Sequence, residues 1–215
     1  RAGLHHLPGL QWQLVAGLLV ERGLLPFVDI AYQGFGEGLD ADAEGLRIVA
    51  GKAPEMVVAA SCSKNFAVYR DRVGAAIVVG KTGAEADIAM SQVLAAARTM
   101  YSMPPDHGAA AVRMVLADAE LRADWQAELE EMRLRMLRLR VAFSEALRRQ
   151  SNSDRFDFVA SHRGMFSRLG LTEAQVDRLR TEHGVYMVGD SRINVAGLPE
   201  DKLDWLAKAI VSVLD

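Results

Sequence analysis

The sequence contains a single cysteine, Cys62, among 215 residues. One thiol cannot form an internal disulfide, which excludes a small disulfide-stapled scaffold and is typical of a reducing cytoplasm. The chain also lacks an apolar run of the roughly 20 residues that a transmembrane helix needs. Its first residues lack the charged-then-apolar pattern of a signal peptide. We therefore predict a cytoplasmic protein that does not enter a membrane.

Strong net charge is missing as well, because 25 basic and 28 acidic side chains leave a formal charge of -3. The two signs are interspersed, which argues against a nucleic-acid groove or an anionic membrane surface as partner. Hydrophobic residues make up 50% of the chain, so it is not a disordered tail. A chain of this length can bury a sizeable core in one large or two small domains.

Residues 61–74 carry the first candidate for chemistry, a lysine with hydroxyls before it and arginines after it. The apolar runs 56–60 and 73–80 on either side are typical of buried strands. Lys64 would be partly desolvated between such strands, which favours a neutral amine that can act as nucleophile or base. The hydroxyls and an arginine nearby could bind a phosphate. Taken alone, the segment is also compatible with a surface turn of solvated charges.

A second polar patch follows the apolar strand predicted in residues 25–31, where Asp29 and Tyr32 precede a glycine turn. At a period of two, Asp29 shares one strand face with Phe27 and Ala31. An aspartate in so apolar a run is expensive to bury unless a cation meets it. Aspartate, tyrosine, lysine, serine and arginine at strand ends could together hold a phosphorylated, protonated heterocycle.

Five separate blocks of the sequence resemble the class I aminotransferases that use pyridoxal phosphate, specifically their aspartate and aromatic amino acid branch. The similarity runs in family order and at family-like spacing from about Gln11 to the C-terminus. The blocks are Asp29-Ile-Ala-Tyr32-Gln-Gly-Phe, Ser61-Cys-Ser-Lys64-Asn-Phe, Arg72-Val-Gly, Gly164-Met-Phe166-Ser and Ser191-Arg192-Ile-Asn-Val-Ala-Gly197.

The resemblance implies an α/β fold made of two parts. Residues 1–130 would be the C-terminal part of the large cofactor-binding domain, with a mixed, mostly parallel sheet and helices around it. Residues 131–215 would be a smaller α+β domain, which a long helix joins to the first. The boundary is expected near Glu131.

The resemblance also implies pyridoxal 5'-phosphate as cofactor and assigns residues to it. Lys64 would bond to the cofactor aldehyde and then carry a proton between the substrate Cα and the cofactor. Asp29 would keep the pyridine nitrogen protonated, and Tyr32 would hydrogen-bond the phenolic oxygen. Ser61 and Arg72 would bind the phosphate.

For the substrate, the resemblance implies that Arg192 binds the α-carboxylate and that Phe166 lines the cleft. The alternative for Arg192 is a surface ion pair, which we disfavour because an unpaired guanidinium beside an apolar strand would be costly to bury. Arg98 would reach from the neighbouring subunit to a side-chain carboxylate, which implies a homodimer. Met103 replaces a small polar residue of the family and leaves the side-chain preference open.

The resulting prediction is transamination of aspartate, aromatic amino acids or both with a 2-oxo acid such as 2-oxoglutarate. The family's N-terminal half, with the ring that stacks on the cofactor and a phosphate loop, has no counterpart here. The chain would then be competent only together with that half. The alternative is a truncated, non-catalytic dimerisation or interaction module. A different reaction on the same cofactor is disfavoured, because Arg98 and Arg192 fit a substrate with two carboxylates.

Periodicity and turn signals locate the remaining elements. They predict helices at 11–21, 41–50, 82–98, from about 107, 121–147, 172–183 and 200–214, and strands at 156–160, 185–188 and 193–195. The long helix carries Arg133, Arg135, Arg138 and Arg140. Glu128, Glu130 and Glu131 adjoin them, which favours a solvated salt-linked face over a nucleic-acid stripe. The pair His5-His6 is not predicted to bind metal, since adjacent side chains point apart.

Overall fold

The computed structural model of the chain describes residues 9–214, which form two compact units. The first, called the sheet unit below, comprises residues 9–34 and 38–129. The second, called the helix unit, comprises residues 35–37 and 130–214. The histidine pair His5-His6 lies outside the described residues. The assignment of the two units to a cofactor-binding domain and a small domain stays a prediction.

The described elements alternate between helix and strand over much of the sheet unit and are mostly helical afterwards. The helices are α1 Gly9–Glu21, α2 Glu44–Ala50, α3 Gly83–Met100, α4 His107–Ala117, α5 Ala119–Ser151, α6 Phe158–Ser161, α7 Glu173–His183 and α8 Leu203–Ser212. The strands are β1 Phe27–Ile30, β2 Met56–Ser61, β3 Gly74–Val79, β4 Phe166–Arg168 and β5 Arg192–Asn194. Short 3-10 turns at Ala41–Ala43 and Glu200–Lys202 precede α2 and α8.

The sheet unit is built on a mixed sheet in the order β1-β2-β3. Strand β1 runs parallel to β2, and β2 runs antiparallel to β3. The centre of the sheet is buried, since Met56 and Val58 of β2 are 0% and 3% exposed. They pack with Ala16 of α1 and Val49 of α2, so both helices cover the same side chains of the sheet.

The helix unit packs α5, α7 and α8 around an apolar core. Phe143, Leu147, Leu179 and Ile210 are all fully buried there. A two-stranded antiparallel sheet of β4 and β5 completes the unit, with Ser167 opposite Ile193.

The helices that periodicity predicts are confirmed, including the single long helix α5. Two of these helices begin at a threonine whose side chain caps them. Thr82 accepts a hydrogen bond from the Glu85 amide at the start of α3. Thr172 and Gln175 form a reciprocal capping box at the start of α7.

The strand predicted at 156–160 is wrong, because residues 156 and 157 form a turn and residues 158–160 belong to α6. The amides of Val159 and Ala160 donate to carbonyls three residues earlier. Phe156 and Val159 are the two buried apolar side chains, and their spacing of three suits a helical turn rather than a strand.

The strand predicted at 185–188 is also wrong, since no strand pairs with these residues in the described part of the chain. The Val185 amide instead donates to the Leu179 carbonyl and closes α7, while Gly184 takes the left-handed conformation of a C-cap. Tyr186 is 82% exposed, so this apolar run covers no core. The third predicted strand, 193–195, exists as β5 with its bounds one residue earlier.

Candidate functional site

Lys64 lies in the connection between the antiparallel strands β2 and β3. The Cys62 amide donates to the Val73 carbonyl and continues the pairing by one residue, so residues 63–72 form a loop at the strand ends. The Lys64 ammonium is 4.4 Å from the centroid of the Tyr32 ring, which follows β1. The two polar patches singled out in the sequence therefore meet within the sheet unit.

The parallel pairing of β1 and β2 places the carboxyl ends of both strands at one edge of the sheet. Asp29 is opposite Ala59, and Ser61 ends β2 two residues later. The Ser61 hydroxyl accepts a hydrogen bond from the Ser63 amide at 3.2 Å, which ties it to the Lys64 loop. Asp29 is exposed. The expectation that it needs a cation because it is buried is wrong for the residues described here.

Arg72 occupies the other end of the same loop in an unusual backbone conformation. Its φ of 55° lies in the left-handed region, which few residues other than glycine adopt. Its side chain is exposed and its Nη1 donates to the Tyr69 carbonyl at 3.0 Å. The loop thus holds an arginine two residues before the first residue of β3.

Two hydrogen bonds to residues 39 and 42 hold the turn after Tyr32. The Gly34 amide donates to the Asp42 carboxylate at 2.8 Å, and the Gln33 side chain donates to the Leu39 carbonyl. Gly34 has a φ of 97°, and a Cβ there would come within 2.5 Å of the Leu129 side chain. A residue with a side chain would be both strained and obstructed at this position.

Trp125 of α5 holds the Lys64 loop, a contact that sequence reasoning missed. Its ring stacks on Phe66 with centroids 4.3 Å apart and planes 9° from parallel. Its indole nitrogen also donates to the Asn65 carbonyl at 2.6 Å. The two residues that follow Lys64 are therefore anchored by one side chain. In the sequence, Trp125 is one of several apolar residues at helical spacing, a pattern that predicts packing but does not identify its partners.

Phe166 and Arg192 come together in the helix unit, on the paired strands β4 and β5. Arg192 is opposite Arg168 in the ladder, and its guanidinium is 5.5 Å from the centroid of the Phe166 ring. Arg192 is exposed. The guanidinium is therefore not buried against the apolar strand, and the predicted cost of burying it does not arise in the described residues. Among residues 9–214, no ion pair of Arg192 is found, so the surface ion pair has no support either.

Ser191 sets the start of the strand that carries Arg192. Its φ of 62° lies in the left-handed region, and its side chain is buried. The Ser191 hydroxyl accepts hydrogen bonds from the amides of Gly170 and Leu171 at 3.0 and 3.2 Å. The sequence indicates only a short polar residue here, and its anchoring role comes from the structure.

Arg140 is fully buried, which corrects the prediction that the arginines of α5 form one solvated face. Arg133 does pair with Glu130 as predicted. Arg140 instead points inward and donates to oxygens of the segment that leads into β4. Its acceptors are the carbonyls of Val159, Arg163, Gly164 and Phe166 and the hydroxyl of Ser167. Burial, and secondarily the charge of Arg163, lowers the pKa of Arg140 to about 10.

His162 lies beside this cluster, with its Nδ1 3.2 Å from the Ser167 hydroxyl oxygen. Because that oxygen accepts from Arg140, its proton is free to point at a neutral imidazole nitrogen. Burial lowers the pKa of His162, and the charge of Arg140 lowers it further. The arrangement therefore favours the neutral ring.

Arg98 is not brought into contact with the other predicted site residues. It lies near the end of α3, is exposed and donates to the Ser102 hydroxyl at 3.1 Å. Met103, which lies beyond the end of the helix, is 80% exposed. Within residues 9–214, no cluster of His, Cys, Asp and Glu suited to a metal ion is found, and no helix is long and apolar enough to span a membrane.

Comparison with known proteins places these features in a family. Residues 7–210 match the family model described as aminotransferase class I and II. The chain belongs to this aminotransferase family. The match confirms the resemblance in the sequence and, with it, the predicted α/β fold class.

Two relatives match this chain over nearly all of its length. The aromatic-amino-acid aminotransferase of Paracoccus denitrificans is 52% identical over 203 residues, 94% of this chain and 52% of that protein. The aspartate aminotransferase of Escherichia coli strain K12 is 48% identical over 204 residues, 95% of this chain and 52% of that protein. The chain thus spans about half the length of the relatives it matches.

A solved relative shows the cofactor of the family. The crystal structure of the aromatic-amino-acid aminotransferase from Burkholderia pseudomallei, covalently bound to pyridoxal phosphate, has a TM-score of 0.94 and 46% identity. The alignment covers 98% of this chain and 53% of that chain. Aminotransferases of this class depend on pyridoxal phosphate.

The anchoring of the Lys64 loop by Trp125 gives a testable prediction. Trp125→Phe keeps the stacking on Phe66 but removes the hydrogen bond to the Asn65 carbonyl, which should lower the free energy of unfolding by about 1 kcal/mol. Urea denaturation measures the change, and hydrogen exchange of the Phe66 amide reports it locally. Trp205→Phe is the matched control, because Trp205 is 50% exposed and should change stability by less than about 0.5 kcal/mol. Equal effects of the two substitutions would show that Trp125 does not anchor the loop.

The lowered pKa of His162 predicts a loss of stability in mild acid. With a folded pKa below the ordinary 6.5, the unfolded chain binds more protons than the folded one at pH values just below 6.5. The stabilisation is therefore complete above 6.5 and is lost as the pH falls towards the folded pKa. Melting temperatures between about pH 8 and pH 5 should fall less steeply in His162→Asn than in the parent. The control is His107→Asn, because the largely exposed His107 ring lies 2.9 Å from the Asp71 carboxylate and its removal should not make the loss of stability in acid shallower. A His162→Asn profile that follows the parent would contradict the prediction.

Proposed function

We propose that this chain carries the lysine and carboxylate-binding halves of a pyridoxal-phosphate-dependent aminotransferase site. The single observation that carries the proposal is the meeting of Lys64 with Tyr32 at the sheet edge where Asp29 and Ser61 also lie. The reaction is transamination of aspartate or aromatic amino acids with a 2-oxo acid such as 2-oxoglutarate. Relatives with both specificities support it.

The residues of the sheet unit fit the chemical groups of the cofactor. Pyridoxal phosphate supplies an aldehyde, an electron-accepting ring, a phenolic oxygen and a phosphate. The half-buried Lys64 amine would bond to the aldehyde and later move a proton at the substrate Cα. Tyr32 would donate to the phenolic oxygen, and Asp29 would hold a proton on the ring nitrogen. The Ser61 hydroxyl and the Arg72 guanidinium, at opposite ends of the Lys64 loop, would bind the phosphate.

Arg192 and Phe166 of the helix unit suit a substrate carboxylate. The guanidinium would bind the carboxylate, and the aromatic ring would provide an apolar contact beside it. A planar guanidinium binds a carboxylate through two parallel hydrogen bonds, and the Phe166 ring lies on one side of it. Its exposure leaves the guanidinium accessible to such a ligand.

A homodimer in the cytoplasm belongs to the same proposal. Arg98 would bind a side-chain carboxylate in the site of a second copy, which is consistent with its exposure at the end of α3. The single cysteine, Cys62, suits a reducing compartment. Its thiol is half-buried, and burial raises its pKa.

Covalent mapping of the cofactor tests the proposal. The chain is incubated with pyridoxal phosphate and borohydride, which fixes adducts between the aldehyde and amines, and peptides are then analysed by mass spectrometry. We expect the adduct predominantly on Lys64, because the Tyr32 ring and the anchored loop hold its amine in one place.

Lys64→Ala should abolish this adduct, whereas Lys52→Ala should leave it unchanged, since Lys52 is an exposed lysine that donates to the Gln13 carbonyl. Labelling spread evenly over surface lysines, and unaffected by Lys64→Ala, would contradict the proposal. That result would favour the alternative of a non-catalytic module that keeps the fold.

A further inference from the structure

Arg140 is the largest fully buried side chain among the described residues, and the proposed site leaves its charge unexplained. Arg140 is 0% exposed, and among residues 9–214 it forms no ion pair. Its Nε is buried without a hydrogen-bond partner. An unpaired buried charge destabilises a folded protein unless polar groups surround it, so its environment has to supply those groups.

That environment is made almost entirely of main-chain carbonyls from one short segment. The Nη2 group donates to the carbonyls of Gly164 at 2.6 Å and Phe166 at 3.0 Å, with Arg163 more distant at 3.4 Å. The Nη1 group donates to the Ser167 hydroxyl at 2.7 Å and the Val159 carbonyl at 3.2 Å. The planar fork of an arginine is required, because no other side chain offers donors to all of these oxygens.

The segment that Arg140 binds leads into β4, and Phe166 is the first residue of that strand. Gly164 has a φ of 78°, so the chain turns sharply there before the strand begins. The amide of Val195, just after β5, donates to the Met165 carbonyl at 2.8 Å. The same few residues are thus held on one side by Arg140 and on the other by the strand that carries Arg192.

We propose that Arg140 is a positioning residue that fixes Phe166, and through the β4–β5 pairing Arg192, in the geometry that binds a substrate carboxylate. The inference rests on the proposed function of Phe166 and Arg192. Arg140 itself contacts neither substrate nor cofactor. Its effect passes through the carbonyls of the turn and the ladder in which Arg168 faces Arg192.

A purely structural role would have a different consequence. Arg140 lies on α5, whose apolar side packs the core of the helix unit, so a substitution that damages packing would loosen the whole unit. A positioning role predicts local loosening of residues 164–169 and 191–195, while α7 stays protected.

Two measurements test the proposal on the Arg140→Lys variant, which keeps the positive charge but cannot reach all the acceptors. The first is hydrogen–deuterium exchange of peptides that cover residues 164–169 and 191–195. The second is the Kd for 3-phenylpropionate, a carboxylate with an aromatic ring and no amino group, measured by titration calorimetry. We expect both exchange in these peptides and the Kd to rise at least about tenfold, as the loss of one charge-assisted hydrogen bond implies.

The matched control is Arg138→Lys. Arg138 is an exposed arginine two residues earlier in the same helix, so this substitution should change neither quantity. Ser167→Ala is a second test that does not alter the buried charge. It removes one acceptor of Arg140 and should raise exchange in the same peptides by a smaller factor. If Arg140→Lys fails to fold, Ser167→Ala decides the proposal by the same two measurements.

The outcomes separate this proposal from the proposed function. Unchanged exchange in residues 164–169, or an equal rise in α7, overturns the positioning role. An unchanged Kd in Arg140→Lys, where Arg192→Lys weakens binding, also overturns it. If the parent chain does not bind the probe and Arg192→Lys has no effect, the proposed carboxylate site fails, and hydrogen exchange alone decides the role of Arg140.

Discussion

The parallel pairing of β1 with β2 is the constraint on which the candidate site depends. Two strands that run in the same direction present their carboxyl ends at one sheet edge, where side chains distant in sequence become neighbours. The last pair in the register is Ile30 with Ala60. Tyr32 and the Lys64 loop therefore both lie just beyond the carboxyl end of this pairing. A shift of the register by one residue would move the side chains of β1 to the opposite faces of the sheet. Asp29 would then point away from Tyr32 and the Lys64 loop.

Side chains of helix α5 contact the segments that carry the functional residues within each unit. In the sheet unit, Trp125 anchors the loop after Lys64, and Leu129 closes on the turn at Gly34. In the helix unit, Arg140 binds the turn before Phe166. The candidate reactive side chains therefore lie on loops and short strands, while helical side chains in each unit provide contacts that hold their backbones.

Much of the fold could be predicted from the sequence, because its signals are local. The apolar spacing along α5 and the capping residues Thr82 and Thr172 act within a few turns of a helix. The predicted strand at 156–160 failed for a physical reason. A short apolar run is compatible with either structure, and burial of Phe156 with Val159 favoured the turn.

The candidate site was only partly predictable. The chemistry of Lys64, Asp29 and Arg192 could be inferred from residue type and from resemblance to a family. Their exposure and their anchors could not, because these depend on contacts between residues far apart in the chain. Arg140 shows the limit most clearly, since its sequence neighbours on the helix include exposed arginines and nothing local marks it as buried.

The central claim is that Lys64 and Asp29 contact the same cofactor ring. Its most direct test is the protonation state of the nitrogen in that ring. The ¹⁵N chemical shift of labelled pyridoxal phosphate bound to the protein reports whether the ring nitrogen carries a proton at neutral pH. The account predicts a protonated nitrogen in the parent chain and an unprotonated one in Asp29→Asn. The same shift in both proteins would contradict it, because Asp29 would then lie away from the ring that Lys64 binds.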